Sequence, residues 1–270
     1  MNKIVVKDIS FSYDKKNYIF KNLSFDIKDG EFVCLLGQSG CGKSTLLKLI
    51  AGLNKATSGE IFVEDKLIKK AGLDRGVVFQ DYGLFPWMSA GENITLALEQ
   101  KFKNKNKKEL KDIAISIMKK VGLDEYVYKK YPKELSGGMK QRCAIARAFG
   151  IDSPILLMDE PFGALDAVTR AKLQDLLIEL WLGDKNKKTI IFVTHDVDEA
   201  LFLADRILVL GQSSKNNIIY ELKIEEGLNR VRDKQFSDPK ILLKRNKLIE
   251  NIYKDVNEMR ENKWRKNFYY

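Results

Sequence analysis

Cysteine is scarce in this chain: three among 270 residues, Cys34, Cys41 and Cys143. The number is odd and no two have the spacing of metal ligands, which argues against a disulfide framework and against a zinc site. Reduced thiols in a cytosolic setting are the expectation. Long apolar runs are lacking too. None approaches the ~20 residues that a membrane-spanning helix needs. The apolar part of residues 1–8 is too short for a signal peptide. The chain is therefore expected to be soluble, or to reach a membrane only through partners. There is no arginine-rich arm and no interleaving of aromatic with basic residues, so nucleic acid is not an expected partner. Histidine occurs once, at His195.

What the chain does have is lysine. The formal net charge is +10, a balance that suits nucleic acid, an anionic membrane or an anionic ligand. The lysines are dispersed among Asn and Glu, which favours a plain solvated surface. Their densest cluster, KFKNKNKKELK at 101–111, reads as an exposed linker into a helix. The length fits one sizeable domain, or a domain with a subdomain.

Strands are expected at 3–10 and around the alternating Leu23, Phe25 and Ile27, followed by a turn at Asp29-Gly30. Residues 31–36 form a short apolar run of the buried-strand kind. A helix is expected over 44–53, then strands at 60–63 and 76–79. From 89 to 150 the pattern is helical, and reads as an α-helical subdomain inserted into an α/β core. Strands at 155–158, 189–194 and 206–210 then alternate with helices, one carrying Leu173, Leu176, Leu177, Leu180 and Trp181 at helical spacing. That alternation argues for a parallel sheet. The signal weakens after Ser213. An edge strand at 218–224 and a charged helix at 241–259 are expected there.

Residues 37–45, Gly37-Gln38-Ser39-Gly40-Cys41-Gly42-Lys43-Ser44-Thr45, fit the phosphate-loop pattern G-x-x-x-x-G-K-[ST] between a buried strand and a helix. Glycines let backbone N–H groups turn inward around an anion, and the helix start adds about half a positive charge. Lys43 is expected on the β- and γ-phosphates and the Ser44 hydroxyl on Mg²⁺. A partner acid should end a later apolar strand. Ile155-Leu156-Leu157-Met158-Asp159-Glu160 supplies it, with Asp159 as a Mg²⁺ ligand and Glu160 polarising the attacking water. A second glycine-rich stretch, Leu135-Ser136-Gly137-Gly138-Met139-Lys140-Gln141-Arg142, offers a hydroxyl and bare N–H groups at a helix start, which is another anion site.

With the phosphate loop, LSGGMKQR, ILLMDE, Gly163-Ala164-Leu165-Asp166 and Thr194-His195-Asp196 in this order, the chain resembles the nucleotide-binding subunit of ATP-binding cassette (ABC) transporters over roughly residues 3–210. The resemblance implies a P-loop NTPase (RecA-like) α/β core with a parallel sheet, an N-terminal antiparallel β subdomain and the inserted helical subdomain near 89–150. The ATPase domain would span 1–235 and a charged helical tail 236–270. It also implies ATP and Mg²⁺ as cofactors and a dimer of two copies with two ATP molecules between them. Ser136, Gly137, Gly138 and Met139 would then face the γ-phosphate held by the other copy. Met139 departs from the glutamine commonest in the family, but the serine and glycines that carry the phosphate contacts are kept. His195 matches the switch histidine that positions Glu160 and water. Gln80 matches the glutamine that approaches Mg²⁺ and water, Asp166 the aspartate that works across the dimer, and Tyr13 the aromatic that stacks on adenine, with Tyr18 as its rival.

With no membrane span of its own, a transport ATPase needs two separate integral membrane permease subunits, and would sit as a peripheral protein on the cytoplasmic face of the membrane. The apolar 83–88 (GLFPWM) after Gln80 is a candidate docking surface. The stretches FQDYGLFPWMSAGENI and DEPFGALDAVTRAKLQDLLIELW resemble the nitrate/sulfonate/taurine importer group. An extracytoplasmic solute-binding protein would then be an indirect partner, and the small solute would be of the nitrate/sulfonate/taurine type or a related organic anion or vitamin precursor. The alternative is a non-transport ABC ATPase, such as the iron–sulfur assembly type.

Overall fold

A computed structural model describes residues 2–211, 217–225 and 230–268, the side chains of 259 and 261–268 excepted. Ser213 lies outside the described residues. In chain order the strands are β1 (Asn2–Ser12), β2 (Tyr18–Lys28), β3 (Phe32–Gly37), β4 (Ser58–Val63), β5 (Lys66–Leu67), β6 (Arg75–Val78), β7 (Ile155–Asp159), β8 (Thr189–Thr194), β9 (Arg206–Leu210) and β10 (Ile218–Lys223). The α-helices are α1 (Lys43–Ile50), α2 (Ala90–Lys101), α3 (Lys107–Lys120), α4 (Gly137–Gly150), α5 (Ala167–Leu182), α6 (Val197–Leu203) and α7 (Pro239–Phe268). They form two compact units. One contains the residues up to Ala71 and those from Thr189 onward; the other is Gly72–Lys188.

The first unit holds two sheets. In the antiparallel one the strand order is β2-β1-β4-β5. Ile4 pairs with Ile27 and Val6 with Phe25, so alternate residues fall on one face, and Ile4, Val6, Ile9, Phe20 and Ile27 are buried there. In the other sheet β3 lies between β8 and β9, parallel to both, and β10 closes the edge antiparallel to β9. Every residue of β3, β8 and β9 is buried. Such strands are covered on both faces, which is why they read as unbroken apolar runs. Helices α1 and α6 lie against β3 and β8. α1 stops short of the expected end at Leu53: Gly52 takes a left-handed φ of 72° and Leu53 is left exposed.

In the second unit β6 and β7 run parallel, Val78 opposite Met158. Between them in sequence come α2, α3 and α4, which pack on one another, and no strand occurs among the described residues from Ser89 to Gly150. Ser89 with Glu92 and Asn106 with Glu109 form capping boxes that start α2 and α3. Leu173, Leu177 and Trp181 are buried along one side of α5.

The C-terminal α7 packs on α6 and β10 of the first unit. Ile241 and Leu248, one heptad apart, are its buried anchors.

Candidate functional site

In the first unit, β3 delivers the chain into the phosphate loop and the loop into α1. Gly42 has φ 100° and stands where a side chain would not fit: an added Cβ would lie 2.6 Å from both Ile19 Cγ2 and Phe20 Cζ. No side chain caps α1, so its positive end opens onto the loop. Lys43 is buried, and its ammonium donates to the carbonyls of Gly37 at 2.8 Å and Gln38 at 2.9 Å. Those bonds tie the ammonium to the first two residues of the loop. Gln38, Ser39 and Gly40 are exposed, and Ser44 and Thr45 half-buried.

Cys41 points the other way. It is buried, with its sulfur directly behind Gly37, and burial pushes its thiol up. Burial does the same to Cys34, and raises Cys143 to about 12. None of the three has the exposure and low pKa of a reactive thiol.

Tyr13 is exposed and stands edge-on to Phe11, ring centroids 4.8 Å apart. Its hydroxyl lies 3.3 Å from Thr45 Oγ1, at the end of the phosphate loop. The rival Tyr18 is also exposed, at the start of β2, where the Lys21 ammonium lies 5.7 Å from its ring centre.

His195 leaves the sheet at the same end as the phosphate loop, because Leu36 of β3 pairs with Thr194 of β8. It is the exposed vertex of a tightly bonded turn. On one side the Thr194 hydroxyl donates to buried Glu199 at 2.6 Å and accepts the Asp196 N–H at 3.0 Å. On the other, the Asp196 carboxylate caps α6, accepting the N–H groups of Asp198 and Glu199 at 2.9 and 3.1 Å. Strand end and helix start are thereby fixed on either side of one imidazole.

In the second unit, Asp159 ends β7 and is buried. Glu160 follows with φ 43°, a left-handed conformation that a carboxylate side chain adopts at a cost and that turns it off the strand. β6 ends at Val78, earlier than the expected strand, so Gln80 sits in the exposed turn beyond it. The parallel pairing of β6 and β7 sends Gln80, Asp159 and Glu160 out at one end.

The LSGGMKQR stretch starts α4. Ser136 is its N-cap, accepting the Met139 N–H at 3.3 Å. Gly137, Gly138 and Met139 form the first turn. A Cβ on Gly138 would lie 2.8 Å from Thr169 Cγ2, so α5 itself demands glycine there. Asp166 is the N-cap of that neighbouring helix and accepts the Thr169 N–H at 2.9 Å. This bond holds its carboxyl below the usual range. Ser136 and Asp166 therefore begin two adjacent helices.

Two residues that the sequence reading passed over shape the loop after Gln80. Asn93 is completely buried. Its amide donates to the carbonyls of Phe85, Met88 and Ser89 at 3.2, 3.1 and 2.9 Å and accepts the Phe85 N–H at 2.7 Å. Arg147 donates to the carbonyls of Gly83 and Tyr82. So braced, the loop presents Phe85 and Trp87, rings 5.4 Å apart, and Trp87 is 71% exposed. The one sequence signal for Asn93 is an amide in register with the buried Ala90 and Ile94 face of α2.

Among the described residues, no three His, Cys, Asp or Glu side chains cluster to hold a metal. A Mg²⁺ ion that keeps its waters and binds substrate phosphates needs only one or two protein oxygens. Ser44 in the first unit offers a hydroxyl oxygen of that kind, and Asp159 in the second a carboxylate.

The family model described as ABC transporter matches residues 20–163. The chain is 41% identical to the bicarbonate transport ATP-binding protein CmpD of Synechocystis sp. over 87% of its own length and 82% of that protein's. It is 41% identical to the nitrate import ATP-binding protein NrtD of Synechococcus elongatus (87% and 84% covered). To the aliphatic sulfonates import ATP-binding protein SsuB of Bacillus thuringiensis it is 43% identical (86% and 89%). Among solved structures, it resembles the dimeric post-hydrolysis state of an ATP-binding cassette bound to ADP and Pi. The TM-score is 0.72 at 34% identity, covering 82% of this chain and 99% of the other.

Proposed function

The chain belongs to the ABC transporter family and is a transport ATPase; from that premise we propose that it drives uptake of a small solute through two separate integral membrane permease subunits, working as a dimer of two copies. The single observation that carries the dimer is the start of α4. Ser136, Gly137 and Gly138 form an anion-binding helix end in a chain that already has a phosphate loop on α1. One nucleotide's phosphates are cradled by the first; the second reaches the γ-phosphate of ATP held by the other copy. The dimeric state of the solved cassettes supports this reading.

In the first unit, Lys43 and the loop N–H groups from Gly37 to Thr45 take the phosphates, and Tyr13 stacks on adenine. His195 hydrogen-bonds the γ-phosphate. In the second unit, Glu160 polarises the attacking water, assisted by Gln80, and Asp166 works across the dimer. Ser44, Gln80 and Asp159 would hold Mg²⁺, and the ion would supply neutralisation of charge on the transferring phosphoryl group. The chain's own task is positioning and charge stabilisation.

The exposed Phe85 and Trp87 on a braced loop suit docking to the permeases. That attachment makes the protein peripheral to the membrane, on its cytoplasmic face. The bicarbonate, nitrate and sulfonate transport of the relatives favours an inorganic or organic anion of that kind as solute, delivered by an extracytoplasmic binding protein. They weigh against a non-transport role such as iron–sulfur assembly. The test is affinity purification of the chain from solubilised membranes, with phosphate release from MgATP measured on the product. Recovery of an integral membrane partner supports the transport reading. Recovery of soluble partners alone overturns it.

A further inference from the structure

Residues 230–255 have no part in the roles assigned above, yet they grip α6, the helix that begins directly after the turn of His195. α6 has only seven residues, too few for stability on helix propensity alone, so its position depends on what holds it. At its N-terminal end Arg245 makes a two-pronged ion pair with Asp198, Nε to Oδ1 at 2.7 Å and Nη2 to Oδ2 at 3.3 Å. The Gln235 amide donates to the Asp198 carbonyl at 2.7 Å. At its C-terminal end the Arg232 guanidinium lies 4.1 Å from the Phe202 ring centre. Arg230 donates to the Leu203 carbonyl at 2.9 Å and to Asp205 at 2.8 Å. α7 is itself immobilised by Ile241 and Leu248. Further along the same stripe, buried Asp255 abuts Gly211, where an added Cβ would lie 2.6 Å from Asp255 Oδ1. Gly211 directly follows Leu210, the register partner of Gly37. One helix thus touches both the first turn of α6, just after His195, and the end of the strand paired with the start of the phosphate loop.

We propose that the C-terminal segment is a strap that positions His195, with Arg245 and Asp198 as the positioning pair. Asp198 gives its N–H to Asp196, the cap that fixes the backbone just after the imidazole. Its side chain is pinned by Arg245. The guanidinium fork matters because two parallel bonds fix orientation as well as charge. Loss of the pair leaves α6 free to rock, and rocking moves the imidazole while leaving the phosphate loop intact. The consequence for turnover rests on the γ-phosphate role proposed for His195.

Because His195 is the only histidine, ¹⁵N-histidine labelling of the untagged full chain gives one imidazole to observe. Arg245→Met is expected to shift or broaden that resonance. It should lower kcat about tenfold, within the about 10²-fold range that remote misplacement can reach, with KM for ATP changed less than about twofold. The charge swap Asp198→Arg with Arg245→Asp should recover both signals in part. An unmoved resonance and unchanged kcat in folded Arg245→Met overturn the strap. So does a fall in kcat accompanied by loss of ATP binding and an unmoved imidazole. A moved resonance with full turnover upholds Arg245 as the positioning residue and overturns instead the catalytic part given to His195, which His195→Ala checks independently.

Discussion

Ser136→Asp separates two tasks carried by one side chain. In the isolated chain Ser136 caps α4 by accepting the Met139 N–H. Aspartate caps as well as serine does, and a negative charge at a helix start adds about 0.3–1 kcal/mol. The variant should therefore melt no lower than the wild type and bind ATP on its own phosphate loop as before. In the proposed dimer, the same position would face a γ-phosphate. Two like unit charges about 4 Å apart, at an effective dielectric constant near 20, repel by about 4 kcal/mol. At about 1.36 kcal/mol per decade, turnover should fall by about three orders of magnitude. Ser136→Ala is the contrasting case. It loses the cap, at about 1 kcal/mol, and one hydrogen bond to a charged group, about 1.5–3 kcal/mol, so it should be less stable yet faster than Ser136→Asp. Thermal melting and steady-state phosphate release measure the two axes. Ser136→Asp turnover within about tenfold of the wild type would refute the placement of Ser136 against phosphate.

Glu160→Gln should lower kcat by about 10²–10⁴-fold while ATP still binds; near-normal turnover removes Glu160 from the role of base. A thiol reagent at neutral pH should label Cys41 slowly in the folded protein, because the side chain is buried and its thiol pushed up, and faster as pH rises towards thiolate formation; prompt neutral labelling would contradict the burial. The Asp166 carboxyl sits below its unfolded value because it accepts the Thr169 N–H, so its stabilising cap is fully present above about pH 4 and is lost as pH falls through the folded value. Asp166→Asn keeps an acceptor that cannot titrate, so its urea midpoint should fall less steeply on acidification than that of the wild type. Parallel pH profiles would refute this.

The parts of the chain that the sequence displayed best are those governed by local rules. Residues 32–36 are uniformly apolar because β3 is covered on both faces, and Gly42 of the phosphate loop sits where a Cβ would collide with Ile19 and Phe20. Element ends were less legible. Whether α1 stops at Ile50 or Leu53 depends on how Gly52 meets the backbone of Lys70 and Ala71, contacts far along the chain. The same holds for Cys41, whose inward orientation no spacing rule gives. Asn93, Arg147, Glu199 and Arg245 were invisible for a related reason. Each acts through a partner that only the fold supplies, such as a carbonyl in the loop after Gln80, the Thr194 hydroxyl at the end of β8 or the Asp198 carboxylate of α6. Functional residues with a motif are found by pattern; the residues that hold them in place are found by geometry.

The central claim is that two copies of this chain close on ATP, each supplying Ser136 to the other's nucleotide. Light scattering on Glu160→Gln, with and without MgATP, tests it most directly. The mass should double when MgATP is added, and the doubling should vanish when Ser136→Arg is introduced into the same variant. A mass that stays at one chain under saturating MgATP would contradict the claim.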